Sequence, residues 1–163
     1  MNIFVLDKDP KISAEMLCDK HVVKMILESA QMLCTTIHFF GGKPPYKPCH
    51  FNHPCTVWAR KSRSNYFWLL EHAEHISAEY TERYGKVHSS DKVLKYCREN
   101  APEKLVDYGL TDFALAMPEQ YKISTDPTVC YKEYYLKAKG HFLKYKNGCK
   151  HNLPTVILST KNR

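Results

Sequence analysis

Two stretches of this chain repeat apolar residues with a helical period, and a glycine pair and a run of prolines hold them apart. The first begins at Ser13 and continues through Ala14, Leu17, Val22, Ile26, Ala30 and Leu33 to about Phe39, in one piece or two. The second runs from Thr56 to Tyr84, with Trp58, Tyr66, Leu69, Leu70, Ala73, Ile76 and Tyr80 on its apolar face and Gly85 closing it. Gly41-Gly42 stops the first stretch, and the loop Lys43 to Pro54 holds Pro44, Pro45, Pro48 and Pro54. A shorter helix is expected over Ser89–Asn100. Asp126-Pro127 opens a last one, Thr128 to about Tyr145, with Asp as cap and Pro in the first turn. Ala101–Tyr121 reads as irregular. Asn2–Leu6 is a short apolar run ended by Asp7-Lys8-Asp9-Pro10, extended and at most one short strand. Only 6 Gly occur in 163 residues. The expected architecture is all-α. It is a compact single-domain helical bundle over residues 1–163, with a short extended N-terminal segment, a long Pro-rich loop and a mobile tail from about 146.

The helix spanning Asp19 to Leu33 carries an ionisable stripe. With His21 at zero and about 100° per residue, Lys24, Glu28 and Gln31 fall near about 300°, 340° and 280°. The rest of that helix is Val22, Val23, Met25, Ile26, Leu27, Ala30, Met32 and Leu33. A helix apolar nearly all round is a buried helix, so the stripe is expected to line a cleft. Burial of a Glu, a Lys and a His together costs several kcal/mol unless they pair, and such groups tune one another towards acid/base work. The plainer reading is an exposed Lys24–Glu28 pair worth about 0.3 kcal/mol, which leaves His21 and Gln31 unexplained.

Cys49-His50-Phe51-Asn52-His53-Pro54-Cys55 packs two Cys and two His into seven residues. Zinc on Cys49, His50, His53 and Cys55 is one reading, although the ligands are crowded and no second Cys-x-x-Cys follows. The simpler reading is metal-free, with no cofactor: His50, Asn52 and His53 donate and accept hydrogen bonds beside the stripe, and Cys55 packs as a small hydrophobe. Seven Cys, no secretory leader and no apolar run of membrane-spanning length suggest free thiols in a reducing cytoplasm.

The chain carries 24 Lys+Arg against 17 Asp+Glu, a formal charge of +7 and a pI near 9.0. A polyanionic partner fits that balance. Trp58-Ala59-Arg60-Lys61-Ser62-Arg63 and Tyr134-Tyr135-Leu136-Lys137-Ala138-Lys139 interleave cations with flat rings, as nucleic-acid contacts do. Arg60, Arg63, Lys137 and Lys139 are the candidate phosphate contacts, while Trp58 and several Tyr are equally suited to the core.

The run Cys18-Asp19-Lys20-His21-Val22-Val23-Lys24-Met25-Ile26-Leu27-Glu28 resembles the phage pyrimidine-dimer DNA glycosylases of the endonuclease V type and their bacterial relatives. There an Asp-x-His opens a helix and a catalytic Glu follows seven residues after the His, a separation that His21 and Glu28 keep. Gln31 and Leu33, then His53, Pro54 and Trp58, continue the likeness, and Tyr134-Tyr135-Leu136-Lys137-Ala138 is weakly similar to the end of the phage enzyme. The resemblance implies a compact helical domain with its N-terminus at the active site. It also implies an α-amine that attacks the sugar C1′, a Schiff base that leads to strand cleavage, and a Glu that steadies the sugar cation. Substrate contacts would come from Asn2, Gln31, His50, Asn52, His53, Trp58, Arg60, Arg63, Tyr134, Tyr135 and Lys137. The sequence departs from the phage enzyme by an insertion before His21 and by Asn2, a bulky second residue that leaves Met1 in place. The nucleophile is then Met1's amine, a Lys24 stripped of its proton by burial, or water activated by Glu28.

The function expected is therefore a cytoplasmic (host-cytoplasmic if viral), monomeric base-excision enzyme. It would be an N-glycosylase, with or without AP lyase activity, on a damaged or modified pyrimidine in double-stranded DNA, and no membrane is involved. The alternatives are a phage-type nucleotide or modified-base processing enzyme using the same cleft, and a non-catalytic nucleic-acid-binding module with zinc in loop 49–55.

Overall fold

The computed structural model describes residues 1–151. Among these residues the chain forms six α-helices, two short 3-10 turns and no strand. The helices are α1 (Pro10–Glu15), α2 (Asp19–Phe39), α3 (Pro54–Lys61), α4 (Arg63–Tyr84), α5 (Asp91–Glu99) and α6 (Pro127–Lys139). The all-α expectation holds. The basic residues Lys161 and Arg163 lie outside the described residues. Among those described, no helix is long and apolar enough to cross a membrane.

Helices α2 and α4 pack along one another, α1 lies on α4, and α3 and α5 fill the space at their flanks. Their apolar sides form one core with Leu17, Met25, Ile26, Leu33, Leu69 and Ile76 at its centre. Three tyrosines are also fully buried: Tyr66, Tyr131 and Tyr135. A buried tyrosine needs a partner for its hydroxyl. Tyr66 donates to Cys97 O at 2.7 Å and Tyr131 to Ala114 O at 2.6 Å. The last helix is thus a core helix whose inner face is aromatic.

The first helical stretch is two helices. Pro10, which stops a helix from running through out of the N-terminal segment, is the first residue of α1, and Asp9 caps it by accepting the Lys11 and Ile12 N–H groups. The second stretch is also divided. Ser62 is extended (φ −151°, ψ 147°) and ends α3. The loop at 106–109 docks into that break: Ser62 Oγ donates to Gly109 O at 2.7 Å, and Val106 O accepts the Arg63 N–H. The apolar period continues across Ser62, so periodicity alone joins what the loop separates.

Residues 2–6 are buried and form no strand. Buried backbone groups need partners, and here side chains supply them. Asn2 Oδ1 accepts the Ile3 and Phe4 N–H groups, Ser13 Oγ accepts that of Leu6, and Asn2 Nδ2 donates to Ala116 O at 2.7 Å. The turn at Asn2 forces Phe4 to a left-handed φ of 56°, which costs a non-glycine residue about 1–2 kcal/mol. Of the tail from 146, residues 152–163 lie outside the described residues; before them Asp19 Oδ1 accepts the Lys146 N–H, and Lys150 pairs with Glu79 and Glu82.

Candidate active site

The stripe on α2 sits at the border between core and solvent. His21 and Glu28 are buried, Gln31 is half-buried, and the Lys24 side chain is 63% exposed. Val23 and Leu27, read from sequence as buried, are 43% and 40% exposed. The helix is therefore not enclosed all round; an outward arc of Lys20, Val23, Lys24 and Leu27 meets solvent. Exposure also removes the burial that the Lys24 nucleophile reading required.

The N-terminal segment lies over the buried part of the stripe. Glu28 Oε2 accepts the backbone N–H of Asn2 at 3.1 Å, and Glu28 Oε1 faces Lys24 Nζ at 3.5 Å. Between this segment, α2 and α6 is a cavity of about 150 Å³. Met1, Asn2, Phe4, His21, Met25, Glu28 and Tyr134 line it, with Lys24 and Lys139 contributing cations. A larger hollow of about 430 Å³ beside Gly42 and Tyr96 lies apart from these groups.

His21 is held on three sides. Phe4 stacks on its ring at 4.4 Å between centroids, Phe142 meets it edge-on at 5.5 Å, and Tyr135 Oη is 3.0 Å from Nδ1. Tyr135 Oη already accepts the Cys18 N–H at 2.8 Å. Its own proton then goes to Nδ1, which assigns His21 the Nε2–H tautomer. Burial lowers the His21 pKa to about 4, and Lys139, Lys24 and Lys20 add to the shift. At neutral pH His21 is an uncharged donor and not a cation.

His53 completes the site from the Pro-rich loop. It caps α3, accepting the Cys55 N–H on Nδ1 at 3.1 Å. Its pKa is lowered by burial first, then by the N-terminal amine and His50; Glu28 and the Met1 backbone act the other way. The Met1 amine, His50 and Glu28 thus lie within electrostatic reach of His53. His50 and Asn52 themselves are exposed on a tight turn, and His50 has φ 47°. Burial raises the Cys55 thiol to about 11, so it is a neutral, packed group. All seven Cys are free thiols, and no group of three or more His, Cys, Asp or Glu among the described residues could hold a metal ion.

The remaining sequence candidates separate. Trp58 is buried between Trp68 and Phe113. Tyr135 is buried behind His21 and positions it. Arg63 donates to Pro102 O at 2.9 Å. Lys137 is exposed and pairs with Glu133. Arg60 lies over the rings of Phe39 and Phe51. Asn2 spends its side chain on the turn and on Ala116. Phe4, which lines the cavity and stacks on His21, carried no sequence signal beyond membership of an apolar run.

The buried imidazoles make stability pH-dependent. His72 stacks on Trp68 at 5.0 Å, neither ring nitrogen has a hydrogen-bond partner among the described residues, and burial lowers its pKa to about 3. For His72 and His21 the folded pKa lies below the unfolded value of about 6.5. The unfolded chain therefore takes up protons from about pH 6.5 downwards while the folded chain does not. Stability is complete above about pH 6.5 and falls as the pH drops towards 4, by up to about 1.4 kcal/mol per proton per pH unit. Urea midpoints measured at pH 7, 5.5 and 4.5 are expected to decline, with His72→Phe giving a shallower decline. A constant midpoint across that range would contradict the burial of both rings.

A family model described as pyrimidine dimer DNA glycosylase matches residues 1–93. That span includes the N-terminal segment, α1 to α4 and the Pro-rich loop, hence Met1, His21, Glu28 and His53. No curated protein and no solved structure matches the chain.

Proposed function

Because the chain belongs to the pyrimidine dimer DNA glycosylase family, we propose that it excises a damaged or modified pyrimidine from double-stranded DNA and then cleaves the abasic strand, acting as a cytoplasmic monomer. The observation that carries this reading is the contact between Asn2 N and Glu28 Oε2. It holds the amino end of the chain against the one buried carboxylate of the cavity.

The roles follow from position. The α-amine of Met1 attacks C1′ as the C1′–N bond to the pyrimidine breaks, and the base leaves with the bonding pair and takes up a proton. Glu28 stabilises the cationic sugar and relays the amine's protons. Opening of the sugar gives a Schiff base at C1′, loss of a 2′ proton follows, and the 3′ phosphate departs by β-elimination. Neutral His21 donates from Nε2 to a sugar or leaving-group oxygen. Lys24 and Lys139 flank the phosphates. Phe4 and Tyr134 offer rings to a nucleotide drawn out of the stack. Were Met1 removed, the nitrogen already at Glu28, that of Asn2, would become the amine.

Trapping with borohydride on an abasic duplex, followed by intact mass and peptide mapping, tests the nucleophile. A covalent adduct on the N-terminal residue, Met1 or Asn2, is expected. An adduct on Lys24 would move the nucleophile there. Base release with no adduct would leave water as the attacking group and remove the lyase step.

A further inference from the structure

Phe39 stands eleven residues beyond Glu28 on α2. Eleven steps return it to within about 20° of Glu28 around the helix and set it about 16 Å further along the axis. Phe39 is 51% exposed, and loop 49–53 brings Phe51, 41% exposed, against it at 5.8 Å between ring centroids. Arg60 of α3 lies over both rings, 4.9 Å and 4.3 Å from their centroids. Its Nη1 donates to Phe51 O at 2.6 Å, and no carboxylate among the described residues pairs with it. Single exposed apolar residues are ordinary. Two adjacent exposed rings beneath an unpaired guanidinium, on a chain of charge +7, present a surface complementary to a polyanion. The same loop that seats Phe51 carries His53 two residues on, within electrostatic reach of the Met1 amine and Glu28, so one loop joins the patch to the neighbourhood of the cavity.

We propose that Phe39, Phe51 and Arg60 form a second DNA contact that holds the duplex away from the excised base. Arg60 takes a phosphate, and the two rings pack against neighbouring deoxyriboses. At about 3.4 Å of duplex per base pair, 16 Å corresponds to about five base pairs. The guanidinium is already held over two rings and by Phe51 O, so little side-chain freedom is lost when a phosphate arrives. This contact rests on the glycosylase reading and adds to it which length of duplex the protein needs.

The test is affinity against flank length. Duplexes carrying one tetrahydrofuran abasic analogue are made with flanks from about three to about ten base pairs on either side. Wild-type affinity is expected to rise about tenfold once the flank on one side passes about five base pairs. Arg60→Ala and Phe39→Ala, checked by melting to be folded, should lose that gain and bind the shortest duplex as wild type does. Arg60→Ala should also lower the slope of log affinity against log salt by about one on the long duplex. Arg60→Lys should keep the salt slope and recover only part of the gain. A wild-type protein with no flank dependence, or variants that retain it, overturns the proposal. Base release from short dimer-containing duplexes separates the two failures: it persists if only this contact is wrong, and its absence from wild type on every duplex removes the glycosylase reading along with it.

Discussion

Glu28→Gln is expected to slow pyrimidine release by about 10³-fold while leaving the fold and the affinity for duplex DNA in place. The substitution preserves shape. A carboxamide oxygen can still accept the Asn2 N–H that Glu28 Oε2 accepts at 3.1 Å, so the amino end of the chain keeps its seat. What disappears is the negative charge that faces the cavity and the proton-accepting capacity that an amine nucleophile requires. The ion pair with Lys24 is also lost, but Lys24 is 63% exposed, and an exposed pair at this spacing contributes only about 0.3–0.5 kcal/mol. Removing an anion beside the DNA phosphates should, if anything, tighten binding. Single-turnover release from a dimer-containing duplex, with affinity measured in parallel, separates the two effects. Release by Glu28→Gln within tenfold of wild type would sink the assignment of Glu28. Glu28→Asp should fall between, because it keeps the charge and withdraws it by one methylene.

The stripe is legible in the sequence because its signal is local, and the family resemblance, through the His21-to-Glu28 separation, singles out Glu28 within it. The stripe follows from helical spacing, and the helix ends follow from residues a few positions away: Gly41, Gly85, and Asp126 with Pro127. Features that depend on distant partners were not legible. The break at Ser62 is made by Asp107 and Gly109, some 45 residues on. The left-handed Phe4 is held by an Asn2 anchored to Ala116. The tautomer of His21 is set by Tyr135, which the sequence offered as a DNA contact and the fold places behind the imidazole. Trp58, which the sequence leaves open between groove and core, is buried in the core; an aromatic beside arginines looks alike in either place. The exposed Val23 and Leu27 mark the opposite error, where apolar composition was taken for burial.

The largest effect on stability is expected from a pair that reads in sequence as an ordinary solvated one. Glu79 and Arg83 stand four apart on α4, yet they are 4% and 6% exposed. Arg83 Nε donates to Glu79 Oε2 at 3.0 Å. Its Nη1 reaches Leu17 O at 2.9 Å and Asp19 Oδ1 at 3.1 Å, and the guanidinium sits over the Tyr145 ring. One side chain thus joins the end of α4 to the elbow between α1 and α2 and to the chain segment that crosses it. Arg83→Ala leaves the Leu17 carbonyl without that donor and Glu79 with Lys150 as its remaining cation; breaking one side of a buried pair costs about 3–5 kcal/mol, and Lys150 places this case at the lower end. Against a domain stability of about 5–15 kcal/mol that is a large fraction, and it corresponds to a fall in Tm on the order of 10 °C. Adding Glu79→Gln to Arg83→Ala should recover part of the loss, because the buried carboxylate then compensated by Lys150 alone is gone; a double variant worse than the sum of the singles would contradict this account. The elbow leads directly into Asp19 and His21, but Glu28 is held to Asn2 independently of it. Arg83→Ala should therefore release pyrimidine at close to the wild-type rate well below its lowered Tm. Glu28→Gln should lose the chemistry at every temperature while melting as wild type does. If the two variants failed together, in rate and in melting, the cavity and the elbow would be one cooperative unit, and the separation of catalysis from support drawn from these contacts would not hold.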